Sequence, residues 1–214
     1  MKIYTFVGDF YHPHDIVYPT VKKSVALMGD LVMDCRIDEM SSILDVKPKA
    51  IILASENRLN PNDKFVEKWL TPKLDEKITD YVSNGGSIVV IHSGIAEYPE
   101  DSKFVDMLKG YFVSHPDEHC MVKYTSNEKL PFNGGTPFDY EIMDEFYVCN
   151  VDTENTNVFI TTQSEHGEGY GGWYHNYGRG KVIVLVPTHN LEGYEHPETL
   201  RLINKSVAWA IGRD

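Results

Sequence analysis

The chain has 214 residues, 42% of them hydrophobic and 24% charged, a composition that predicts one globular domain over 1–214, burying roughly 70% of its unfolded surface. A formal net charge of −12 excludes binding to nucleic acid or an anionic membrane surface, since both demand a basic face. A metal ion or a small neutral or cationic ligand stays compatible.

In chain order, the first nine residues form a short strand without the charged, apolar and small-residue succession of a secretory leader, so a cytoplasmic protein is expected. Runs at 3–7, 31–35, 50–54, 87–91 and 181–186 are short, apolar and rich in β-branched residues, as buried parallel strands are. Between them, Leu74, Ile78, Tyr81 and Val82 share a helical face, opened by Thr71-Pro72 and stopped by Asn84-Gly85-Gly86. Leu200, Ile203, Val207 and Ala210 repeat this pattern between Pro197 and Gly212. Such alternation predicts a doubly wound sheet with right-handed crossovers. From 112 to 178 the chain reads differently. Pro116, Pro131, Asn133-Gly134-Gly135, Pro137 and the glycines of 167–172 predict a loop-rich, partly antiparallel elaboration, with strands only at 121–124 and 158–162, folded over the carboxyl edge of the sheet.

Three strand ends carry histidine: His12 after the first strand, His92 after the fourth and His189 after the last. In a parallel sheet those ends share one rim, where ligands bind. Neutral imidazole is the commonest metal ligand and titrates nearest neutrality, so the trio suits metal binding or proton transfer. Asp144-Glu145-Phe146-Tyr147 offers a carboxylate among rings; Glu145 is either a third ligand or a base of raised pKa, unless it caps a loop or pairs with Arg179. His12, Glu145, Tyr147 and Trp173 are expected to wall the cleft, its aromatic faces suited to sugar rings, and His115 to bind substrate from a loop. His119 shares a loop with His115, and His175 either lines a pocket or packs. Ser93 lacks the flanking glycines of a hydrolase elbow, having Ile91 and Ile95 instead, and is expected to touch substrate or support the turn. Tyr177-Gly178-Arg179-Gly180-Lys181 precedes a strand rather than a helix and reads as a hairpin turn, not a phosphate loop. Cys35, Cys120 and Cys149 are odd in number and widely spaced, which predicts reduced structural thiols.

Four stretches in order, Gly85-Gly86-Ser87 on to Gly94, Gly110-Tyr111-Phe112 on to His115-Pro116, Asp144-Glu145-Phe146-Tyr147, and Trp173 on to Thr188-His189, together resemble the ThuA-like (trehalose utilisation) family. His196-Pro197 and Val207-Ala208-Trp209-Ala210 fit as well. The resemblance implies a flavodoxin-like three-layer α/β sandwich of the class I glutamine amidotransferase-like superfamily and a role with sugars. In related amidotransferases a cysteine nucleophile occupies the place of His92 and its histidine base that of His189. Without the thiol no thioester forms, so glutaminase activity is not expected.

The combined reading is a carbohydrate-processing enzyme of hydrolase or lyase type, with His92, His189 and Glu145 as catalytic groups and His12, Ser93, His115, Tyr147 and Trp173 binding substrate. His12, His92, Glu145 and His189 are the candidate ligands of a divalent metal, zinc first. The expected partner is a small carbohydrate, with a homo-oligomer open. The alternative is a non-catalytic sugar-binding or regulatory protein.

Overall fold

A computed structural model of the protein describes residues 1–127, 130–132 and 136–213; Asn133-Gly134-Gly135, singled out above, lies outside them. The first half runs β1 (Lys2–Val7), α1 (His14–Ala26), β2 (Leu31–Asp34), α2 (Met40–Asp45), β3 (Ala50–Ala54), α3 (Pro72–Ser83), β4 (Ser87–Ile91) and α4 (Lys103–Leu108). The second half runs β5 (Gly110–Ser114), β6 (Cys120–Ser126), β7 (Asp139–Asp144), β8 (Val148–Val151), β9 (Asn157–Ser164), β10 (Gly167–Tyr177), β11 (Gly180–Leu185), α5 (Leu191–Glu195) and α6 (Pro197–Ile211).

One nine-stranded sheet has the order β2-β1-β3-β4-β11-β10-β9-β6-β7. The strands from β2 through β11 pair in parallel, and those from β11 to β7 pair antiparallel. β3 and β4 are buried along their whole length, because helices cover both faces and neither face can be polar. Ala50, Ile52 and Ala54 join a core with α1 and α6, whereas Ile51 and Leu53 join one with α2, α3 and α4. That division follows the two-residue strand period and yields three layers. Capping matches the local sequence: Thr71 accepts from Leu74 N at the start of α3, and α6 opens on Pro197 and stops at Gly212, φ +76°.

The stretch from 112 to 178 departs from expectation. It carries β6 to β10 and most of β5, and those that join the large sheet prolong it sideways instead of folding over its rim. β7 escaped notice because it alternates, with Tyr140, Ile142 and Asp144 buried and the residues between them exposed. β10 was hidden by glycines that serve close packing: a Cβ at Gly171 would lie 2.6 Å from Ile160 Cγ2. β2 is a half-exposed edge strand rather than a buried one. The 177–181 turn is a β10–β11 hairpin, with Gly178 at φ +57°.

Strand direction positions the site. Four successive antiparallel pairings separate β11 from β7, so β7 runs in the same sense as β11 and β6 in the opposite one. The carboxyl ends of β1, β4, β11 and β7 therefore meet the amino end of β6 on one rim.

Candidate functional site

β4 ends at Ile91, and the next residue, His92, takes φ +44°. A bulky side chain in that left-handed region is uncommon and is tolerated where the surroundings hold it. The turn also needs Gly94, where a Cβ would sit 2.7 Å from both Leu53 O and Val90 Cγ1. His92 is 1% exposed, and its ring stacks on Tyr147 with centroids 4.2 Å apart. Its Nδ1 donates to Val186 O at 2.7 Å. A carbonyl only accepts, so Nδ1 carries a proton, and the far nitrogen Nε2 turns toward Glu145 Oε2, 3.3 Å away.

His12 repeats the device from β1. Asp9 Oδ1 lies 2.7 Å from His12 Nδ1 and also accepts the His12 backbone N–H, while Asp9 Oδ2 accepts from Glu56 N. Burial pushes the Asp9 carboxyl up, but His12, the Glu56 N–H and the Ser93 hydroxyl together hold it below the usual range. An ionised Asp9 fixes the His12 proton on Nδ1 and leaves Nε2 buried with no hydrogen-bond partner among the described residues. Burial, against the pull of Asp9 and with the help of His92 and His189, keeps the His12 pKa below its ordinary value, so the ring is neutral.

Asp144, at the end of β7, ties the remaining strands together. Its Oδ1 accepts from His189 N at 2.8 Å and Glu145 N at 3.0 Å, and its Oδ2 accepts the Tyr124 hydroxyl. His189 Nδ1 then stands 3.2 Å from Glu145 Oε2. One donor atom from each of His12, His92, Glu145 and His189 lies within 4.8 Å of the others. Glu145 Oε1 faces outward, 3.6 Å from His119 Nε2 and 3.8 Å from His115 Nε2. These two imidazoles are 37% and 35% exposed and form the open side of the cluster.

Burial would raise the Glu145 carboxyl, as the sequence suggested, but the His189 and His92 rings beside it, when they carry a proton on the facing nitrogen, outweigh burial and hold the group well below its ordinary value. His189 moves the other way: burial opposes its charge, yet Glu145, Asp144 and Asp9 raise its pKa. Glu145 is thus a fixed anion at the centre of four imidazoles and a poor proton donor.

These donors fit a divalent ion. Bonds of about 2.0–2.1 Å in a tetrahedron set donors roughly 3.3 Å apart, and the two Glu145 Oε2 spacings, 3.3 and 3.2 Å, already match. His12 and His92 each bind an acceptor through the far ring nitrogen, the arrangement that orients and strengthens metal-binding imidazoles. Without a cation or an extra proton, their lone pairs crowd an anionic oxygen. Asp9→Asn should therefore weaken zinc affinity by about 10- to 100-fold in a chelator competition titration; an unchanged affinity would remove Asp9 as an orienting group.

Several expected site residues stand elsewhere. Trp173 is not a cleft wall: it is fully buried against α4, its Nε1 donating to Leu108 O at 2.7 Å, because β10 pairing turns its side chain into the core. Ser93 is buried and supports Asp9 rather than facing a ligand. Tyr147, also buried, backs the His92 ring. His175 packs, held by Thr156 and Met107 O. Arg179 bonds Asn84 and not Glu145. Sequence reasoning passed over Asp9 and Asp144 as anchors and left His119 out of the site. The three-residue spacing of Asp9 and His12 was the one available signal; His119 joins only through the reversal of β6.

A family model described as ThuA, trehalose utilisation, matches residues 45–210. Among curated protein sequences none matches. Of solved structures, a ThuA-like protein from Parabacteroides merdae superposes with a TM-score of 0.76 at 14% identity, covering 99% of this chain and 90% of that one. A ThuA-like protein from Bacteroides uniformis gives 0.68 at 16% identity, covering 100% and 92%. A β-galactosidase from Rahnella sp. R3 gives 0.64 at 13% identity, where 98% of this chain corresponds to 30% of that enzyme. At such identities the structural likeness speaks for the fold alone.

Proposed function

Since the chain belongs to the ThuA (trehalose utilisation) family and is thereby a carbohydrate-utilisation protein, we propose that it is a sugar-processing enzyme of hydrolase or lyase type, acting in the cytoplasm on a small sugar or sugar derivative at the histidine cluster. The observation that carries this reading is the convergence on the side of Glu145 of buried ring nitrogens of His12, His92 and His189 that have no hydrogen-bond partner among the described residues. Those four residues are the proposed holders of a divalent metal, zinc first. When bound, such an ion supplies Lewis acidity and lowers the pKa of a coordinated water toward neutrality.

The protein's own groups divide the remaining work. Asp9 and Val186 O hold the His12 and His92 rings in one tautomer, and Tyr147 fixes the plane of His92. His115 and His119, on the open side, meet whatever enters and exchange hydrogen bonds or a proton with a sugar hydroxyl. Phe112, with its ring 4.4 Å from Tyr147 and 5.7 Å from His115, offers an apolar face to sugar C–H groups.

Metal analysis of protein purified without added metal, followed by zinc titration of wild type and His92→Ala, tests the metal. The expected result is about one ion per chain, lost in the variant; equal binding by both overturns the metal reading. A thermal-shift panel of disaccharides and oxidised sugars tests the substrate class, because a ligand of the native state raises Tm whether or not it reacts. A sugar that shifts wild type but not His119→Ala, and is turned over, supports the enzyme. Binding without turnover that survives His92→Ala and His189→Ala would make the protein a non-catalytic sugar binder.

A further inference from the structure

We infer that the protein carries a second ligand site, for a small phosphate-bearing molecule with an apolar part, on the rim opposite the histidine cluster. A recess of about 530 Å³ opens there, at the amino ends of the parallel strands: Lys49 precedes β3, Gly86 precedes β4 and Arg179 precedes β11. Lys47, Lys49, Lys77 and Arg179 line it, four of the 20 basic residues of a chain whose net charge is −12. Against them stands one lining acid, Asp80; Asp45 is engaged by Lys77 at 2.7 Å. Neither Lys47, Lys49 nor Arg179 makes an ion pair among the described residues.

Gathering like charges in this way is unfavourable unless an anion is shared between them. The carbonyl ends of α2 and α3 draw cations toward this rim, and Arg179 does donate to Asn84 Oδ1 at 3.0 Å at the end of α3. That contact also fixes the guanidinium in place, with donors to spare for a second acceptor. Lys49 lies beyond both helix ends, on the run into β3, where helix capping gives no reason for a charge. A guanidinium and ammonium groups lining one recess match a phosphate dianion better than a single carboxylate.

The floor is apolar. Leu44 and the ring of Tyr81 are buried beneath the recess, and the Tyr81 hydroxyl is already committed to Pro48 O and Ser87 O. Tyr81 thus offers a ring face and no hydrogen bond, which suits the non-phosphate portion of a ligand. The site shares no residue with the histidine cluster, and it stands whether or not that cluster holds metal.

Calorimetric titration of the full chain in EDTA at low salt, with phenyl phosphate, inorganic phosphate and phenol as probes, tests the inference. Phenyl phosphate should bind saturably, about tenfold more tightly than inorganic phosphate, and weaken as salt rises; phenol should not bind measurably. Lys49→Gln and Arg179→Gln should each weaken phenyl phosphate by about tenfold, while His92→Ala leaves it unchanged. Lys49 is an exposed loop residue, so its variant remains informative if Arg179→Gln unfolds the turn. No saturable binding, equal binding of phenol, affinity unchanged in Lys49→Gln, or loss in His92→Ala would each overturn the second site.

Discussion

Glu145→Gln should lower zinc affinity by at least about 100-fold, the upper end of what loss of a mere supporting partner costs a metal site. Glu145 stands within 4 Å of His92, His189, His115 and His119, and an amide replaces its charge with a weaker acceptor of the same shape. Competition against a chromogenic chelator reads the loss, and an affinity within threefold of wild type, roughly 0.6 kcal/mol, would exclude Glu145 as a ligand. In EDTA the same variant has a second signature. The lowered carboxyl contributes stability that is present above its ordinary 4.5 and lost as pH falls, and the raised His189 contributes stability that is present below its ordinary 6.5 and lost as pH rises through the folded value. Both contributions are whole between those two values. The stability gap between wild type and Glu145→Gln, about 1–3 kcal/mol for a buried group left without its partner, should be widest there. Urea unfolding from below the first value to above the folded His189 value measures it, and a gap that narrows at neither end would show that the carboxylate and His189 are not coupled.

Trp173→Ala should cost about 3–5 kcal/mol of stability and leave zinc affinity of the folded fraction unchanged. The indole is 0% exposed, packs in the core beneath α3 and α4, and donates to Leu108 O. Truncation opens a cavity and strands that carbonyl together. For a chain of this size the expected fall in Tm is on the order of 10 °C, read by calorimetry. A variant of near-native stability that binds sugar poorly would restore Trp173 to the cleft.

These residues mark how far one-dimensional pattern reaches. His12, His92 and His189 were legible because each follows a run of β-branched residues, and in parallel strands the end of the run fixes the rim. Trp173 misled because an aromatic in a glycine-rich stretch reads as a loop wall, whereas its indole lies in the core against Gly110 of β5, where a Cβ would come 2.7 Å from the ring.

The sequence by itself determined the parallel half of the sheet, the two long capped helices α3 and α6, and the three strand ends that bear histidine. Local periodicity and capping chemistry are carried by neighbours in the chain, so they survive without knowledge of the fold. Only the tertiary structure decided that β6 and β7 extend the sheet with opposite senses, which brings His119 and Glu145 to the same rim. It also decided the ionisation of Glu145, since two imidazoles supplied by distant segments, His92 and His189, overcome a desolvation that the local sequence alone predicts. Strand pairing and electrostatic fields depend on groups far apart in the chain, and no spacing along it encodes their sign.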